Sequence, residues 1–264
     1  MLESLSVFAT LAPYVGVCLL LGMIGLLECG WRLGKKRAAV EGDKARAGLG
    51  PLEGAVFGLM GLVMAFSFSG AASRFDARRQ MIVQEANDVG TAWLRIDLLK
   101  PEDQPALRQM FRDYLELRLE SYRQIGKGVD AALAVHGQAM KKQGEIWSHA
   151  VGASASLPPS VATLMLSALN QMFDTATSRV ESMKQHPPMV IFGMLLVLTL
   201  VSALLAGYGM SEGEGRRVLH MLGFAVVISV MVYVILDLEF PRMGLIRLDS
   251  GDQVLEDVLR SMGQ

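Results

Sequence analysis

Four uncharged apolar stretches, each long enough to cross a lipid bilayer, constrain this chain more than any other feature. A membrane-crossing helix takes roughly 20 apolar residues. Residues 5–27, 54–73, 187–211 and 218–236 all meet that length. Lipid offers backbone groups no water to bond, so such stretches must close their own hydrogen bonds as helices. The expectation is an all-α chain with four transmembrane helices, its first partner being the bilayer itself. Only the polar run 211–217 separates the last two stretches, which predicts an antiparallel hairpin. The first stretch does not resemble a cleaved leader, because no basic region precedes it and its apolar run is too long. Composition agrees: 52% of residues are hydrophobic and 19% charged, so much apolar surface needs lipid to face. A net charge of −1 gives no electrostatic footprint for nucleic acid. Cys18 and Cys29, eleven residues apart on one apolar segment, would lie about 16 Å apart on a helix, beyond disulfide reach.

Between the second and third stretches, residues 74–186 read as a helical extramembrane bundle inserted into the membrane part. Phe75, Ile82, Ala86, Val89, Trp93 and Ile96 share one helix face. No Gly or Pro separates Ser73 from Arg74, so the second membrane helix is expected to run on unbroken to about Leu98. Pro101 and Pro105 mark a break and a new start. Leu107, Phe111, Tyr114, Arg118, Tyr122 and Ile125 then form an amphipathic stripe that ends near Gly126 and Gly128. A weaker helix is expected over 131–151. Pro158 and Pro159 open another, with Val161, Met165, Ala168, Met172, Ala176 and Met183 on its apolar side. The expected organisation is therefore 1–73 as the first membrane pair, 74–186 as the helical domain, 187–236 as the second pair, and 237–264 as an acidic-proline turn with an amphipathic tail.

Catalysis finds no support. His136, His149, His186 and His220 are scattered, and no Cys/His cluster has metal-ligand spacing. There is no nucleophile elbow or P-loop. No metal, no cofactor and no enzymatic activity are expected.

Three groups of residues invite a functional reading. Gly54, Gly58, Gly61, Ala65 and Ala72 form a small-residue stripe on the second helix, joined by Ser67, Ser69 and Ser73. Such a stripe either packs closely against other helices or lines an aqueous path. Arg74, Asp76, Arg78 and Arg79 stand where this helix leaves the apolar stretch; they either concentrate counter-ions at a pore mouth or snorkel and pair locally. Asp237 and Glu239 follow the last stretch, ahead of Pro241, Arg242 and Gly244, as a site or a plain interfacial turn. Basic residues are nearly balanced between the two sides. They lean towards a cytoplasmic loop after the first helix, where Arg32, Lys35, Lys36, Arg37, Lys44 and Arg46 fall.

The block Phe66-Ser67-Phe68-Ser69-Gly70-Ala71-Ala72-Ser73-Arg74-Phe75-Asp76-Ala77-Arg78-Arg79 resembles the bestrophin signature that ends the pore helix. In that signature a Phe is followed eight residues on by Arg, with an aromatic beside it and a second Arg five further. These fall on Phe66, Arg74, Phe75 and Arg79. The signature's Asn-Asp pair falls on Asn87 and Asp88, and its acidic-proline turn on Asp237, Glu239 and Pro241. As a whole the chain is similar to the bacterial bestrophin-like membrane proteins, and more remotely to the bestrophin ion channels. The resemblance implies a pentameric homo-oligomer in the bacterial inner membrane that conducts inorganic ions. Its second helices would line the pore, with the helical domain in the cytoplasm and the basic first loop outside, against the lean of the charge count. It places an apolar neck at Gly58, Leu62 and Phe66, opened at Gly58, where the family carries a bulky side chain. Arg242, Met243, Leu245, Ile246 and Arg247 replace the acids that bind calcium in animal members, so no calcium gating is expected. The rival reading, from another class, is a non-conducting membrane scaffold or sensor whose helical domain binds a partner.

Overall fold

The computed structural model describes residues 2–41, 49–125, 128–211, 218–240 and 245–263, and among them there is no strand. In chain order the helices are α1 (Leu2–Glu41), α2 (Leu49–Arg95) with a 3₁₀ turn at Ile96–Leu98, α3 (Gln104–Ile125), α4 (Val129–Ser154), α5 (Pro159–Lys184), α6 (Met189–Gly209), α7 (Val218–Glu239) and α8 (Asp249–Ser261). Four segments are long and apolar enough to cross a membrane: Tyr14–Val40, Leu49–Leu98, Pro159–Gly209 and Val218–Glu239. The all-α, four-span expectation holds.

Contacts divide the chain into two compact units, one of Val7–Arg74 with His186–Phe240, the other of Met1–Ser6, Phe75–Gln185 and Pro241–Gln264. The first contains α1, the apolar part of α2, α6 and α7. Within it α1 and α6 approach closely. A Cβ added to Gly30 would lie 2.0 Å from the Leu204 carbonyl oxygen, and one on Gly207 would lie 2.0 Å from that of Leu27. One on Gly34 would meet Ser211 Oγ at 2.1 Å. Only bare backbone fits there, as membrane helices commonly arrange where they press together. Tyr233 of α7 lies against Gly16 of α1. Phe57 of α2 meets Phe224 of α7 edge to face at 6.4 Å between centroids.

The second unit is a helical bundle around Ile82 and Val89 of α2, Ile96 of the 3₁₀ turn and Leu107, Phe111 and Leu115 of α3, with Ile146, Met165, Leu169 and Leu255 closing the core. Gly128, at φ 154°, precedes α4 in a conformation that L side chains rarely adopt. The amphipathic α8 docks on this bundle. Leu255 is fully buried, Arg112 Nη2 donates to the Met262 carbonyl at 2.6 Å, and Arg123 pairs with Glu256 at 2.7 Å.

Several boundaries differ from those read in the sequence. Arg32, Lys35, Lys36 and Arg37 stand on α1, which continues to Glu41, and are not in a loop. Ala, Lys and Arg are good helix formers, and an i, i+4 pair from Arg32 to Glu28 at 2.8 Å supports the extension. The helix expected over 131–151 is longer, as Val129–Ser154. Asp237 and Glu239 belong to the last turn of α7 and do not follow it. The turn residues 212–217, together with Lys44, Arg46, Pro241, Arg242, Met243 and Gly244, lie outside the described residues.

Candidate functional site

Helix α2 organises the candidate site because two of the three groups of sequence-flagged residues lie along it. It runs without interruption through Ser69–Arg79 to Arg95, close to the expected end at Leu98. Within its apolar part, one side is packed: Met60, Met64 and Ala71 are buried. The other side is open. Gly54, Gly58, Gly61, Leu62, Ala65, Phe66, Ser69 and Ser73 are all exposed in the single chain. Leu62 is 53% and Phe66 70% exposed. Nothing lies within 4 Å of a Cβ added at Gly54, Gly58 or Gly61. Ala72 and Ser67 sit half-buried at the margin.

The charged residues at the end of this stretch take different roles. Arg74 forks onto Glu239 of α7, with Nε donating at 2.9 Å to Oε1 and 3.1 Å to Oε2, and Nη2 also reaching Oε1. The Glu239 side chain is fully buried, whereas Arg74 is one-third exposed. A planar guanidinium matches a carboxylate in this two-point geometry, which fixes direction as well as charge. His186 stacks on Phe240 at 4.8 Å, and its Nδ1 lies 3.6 Å from Glu239 Oε2, beyond hydrogen-bond range. The two polar groups that the sequence flagged separately, at Arg74 and at Glu239, are thus one cluster. Asp237 is buried beside Tyr233, whose hydroxyl donates to its Oδ1 at 3.3 Å.

The remaining signature residues belong to the helical unit. Arg78 is buried and closes the end of α5, donating to the carbonyls of Ser182 at 3.2 Å and Gln185 at 2.8 Å. Phe75 packs against the core, while Asp76 and Arg79 are exposed. Asn87 is exposed, but Asp88 is buried and accepts from Thr175 Oγ1 at 2.7 Å and Gln84 Nε2 at 2.9 Å.

One polar network was not anticipated. Glu85, fully buried, accepts from Arg118 Nε at 2.8 Å and Arg179 Nη1 at 2.6 Å; Arg179 Nη2 also reaches Asp252 of α8 at 2.7 Å. The Tyr122 ring lies under the Arg179 guanidinium at 3.7 Å. Burial pushes the Glu85 carboxyl up, but Arg118 and Arg179 outweigh it and hold it below the ordinary range. Burial pushes the Tyr114 hydroxyl up to about 12. Two carboxylates and two guanidiniums balance in charge, which is the condition for keeping such groups inside a core. The signal was present in the sequence as charged residues on apolar stripes: Glu85 between Ile82 and Val89, Arg118 between Tyr114 and Tyr122, Arg179 after Ala176. Among the described residues no cluster of His, Cys, Asp and Glu could hold a metal ion.

The family model for the bestrophin-like domain matches residues 43–250. No curated protein and no solved structure matches the chain. The matched region takes in α2 to α7 and the whole of the candidate site. On that match the chain belongs to the bestrophin-like domain family, as a membrane protein.

Proposed function

We propose that this chain is the subunit of an oligomeric ion channel in the bacterial inner membrane, with α2 lining the pore. The observation that carries the reading is the chemical character of α2's open side. Lipid-facing sides of membrane helices carry large aliphatic residues, as α6 does with Val190, Val197 and Val201 and α7 with Val226, Val227 and Val230, all exposed. The open side of α2 instead sets Gly54, Gly58, Gly61, Ala65, Ser69 and Ser73 among the exposed Leu59, Leu62 and Phe66. Small and hydroxyl-bearing residues suit close neighbouring helices or water better than acyl chains. In a ring of copies, Leu62 and Phe66 form two apolar collars one helical turn apart, and Gly58 leaves the third open. Asp76 and Arg79, exposed beyond Ser73, shape the field at one mouth. Arg74 acts as a fastener, holding α2 to α7 through Glu239. By family resemblance the ring has five copies and the helical unit faces the cytoplasm.

Purified protein in liposomes tests this reading through cation and anion flux against empty liposomes, alongside the mass of the protein–detergent particle. Flux together with a multimeric mass is the expected outcome. A multimer without flux would leave the non-conducting scaffold instead.

A further inference from the structure

Within the first unit, helices α1 and α7 leave a groove between them. Leu27 and Met221 are buried at its floor, and Ile24, Val218 and Leu222 form its walls around about 140 Å³. Val218 and Leu222 are both exposed, so the groove is open on the α7 side. Glu28 is the one charged residue in the lining. Space of this shape in an apolar stretch suits a flexible hydrocarbon chain. The side chains beyond it fix what that chain must carry.

Ile24, Leu27, Glu28, Trp31 and Lys35 recur at helical spacing and share one side of α1. Lys35 Nζ stands 5.9 Å above the Trp31 ring. Trp at the end of a span, with basic residues beside it, marks the level of lipid headgroups. Arg32 donates through Nε to Glu28 Oε1 at 2.8 Å. Its side chain is 66% exposed, and its two Nη nitrogens meet no acceptor among the described residues. Lys36, exposed one turn further on, has no partner among them either. The pair with Glu28 thus steadies a guanidinium whose remaining donors form a fork beside an ammonium. That is a donor set for a phosphate group. A choline headgroup would bring its own cation against these two. An apolar helix of another chain would leave both cations unanswered and dry, which is costly.

We propose that the α1–α7 groove binds one anionic phospholipid. An acyl chain lies along Ile24, Leu27, Met221 and Leu222, and Arg32 and Lys36 hold the phosphate of a headgroup that carries net negative charge. The site needs neither a pore nor a ring of copies. Full-length protein in detergent is titrated with phosphatidylglycerol, or with phosphatidylcholine of the same acyl chains, and bound lipid is counted by native mass spectrometry. One phosphatidylglycerol per chain is expected, held at least about tenfold more tightly than phosphatidylcholine, because each basic residue near a headgroup adds about fivefold. Lys36→Gln should lower that preference, and Arg32→Gln/Lys36→Gln should abolish it. Leu222→Trp, which fills the groove, should weaken both lipids alike. Lys100→Gln, at an exposed position of the helical unit, should change nothing. Equal retention of the two lipids, or a preference that survives Arg32→Gln/Lys36→Gln, would overturn the proposal. So would a wild-type oligomer that takes up no lipid and falls apart on Leu222→Trp, since a second copy would then cover the groove. Should the double variant fail to fold, Lys36→Gln decides, because it keeps the Arg32–Glu28 pair.

Discussion

Glu85 shows how much a single buried charge can organise when both of its oxygens are answered. Its two arginine partners come from α3 and α5, and Arg179 passes the connection on to α8 through Asp252. Removing one member leaves the others charged and dry, which costs about 3–5 kcal/mol in comparable buried pairs. Glu85→Gln keeps the shape and removes the charge, so it should destabilise the folded protein by that order at neutral pH. The pH dependence follows from the direction of the shift. A carboxyl held below its ordinary value of 4.5 contributes stability in full above that pH. The contribution is lost as pH falls through the lower folded value. Denaturation of the full chain in detergent, followed between pH 7 and pH 3, should show the gap between wild type and Glu85→Gln closing as acid is added. A gap that stays constant would count against the assignment. This network could have been read from polar residues on apolar stripes, but periodicity cannot say which stripes meet. Arg118, Glu85 and Arg179 were each visible; their convergence is a property of packing.

At the scale of elements, length and continuity were the most legible features. Four apolar stretches specified four helices, and the absence of breakers after Ser73 specified that α2 continues. The charged end of α1 was misread as a loop because charge was taken as an end signal, although its residues are good helix formers. The α1–α6 contact was also missed: Gly30 and Gly34 stand four apart, as do Ala203, Gly207 and Ser211, yet neither set drew notice beside the denser stripe on α2. The structure separates two uses of glycine. Gly207→Ala would place a Cβ within 2.0 Å of the Leu27 carbonyl oxygen, so α1 and α6 must move apart. Overpacking of this kind costs roughly 1–3 kcal/mol. Gly58→Ala meets nothing in its own chain and should be neutral or slightly stabilising, since Ala favours helix over Gly by about 1 kcal/mol. Paired thermal denaturation in detergent checks the contrast: a lower Tm for Gly207→Ala alone is expected. Equal losses for both would show that α2's open side is packed as tightly as α1.

For the whole molecule, orientation and pore are properties of the intact assembly in its membrane. The helical unit is expected in the cytoplasm. A cysteine at the exposed Gln138, in the background lacking Cys18 and Cys29, should resist a membrane-impermeant maleimide in intact cells and react once the cells are opened. Labelling of intact cells would reverse the topology. Sequence patterns could place residues on α2 but not show which side of it stays open, because that depends on where Met60, Met64 and Ala71 find partners. The central claim is that this open side surrounds an ion path. Apolar collars hold back ions by excluding water, so widening them or making them polar lowers the barrier. The most direct measurement is therefore ion flux through liposomes containing Leu62→Ser/Phe66→Ser, with oligomer mass and Tm followed in parallel. The account predicts higher flux than wild type at unchanged mass. Absent flux in both proteins, with a loss of stability approaching the roughly 2–5 kcal/mol seen when large buried side chains are truncated, would contradict it and make Leu62 and Phe66 packing residues.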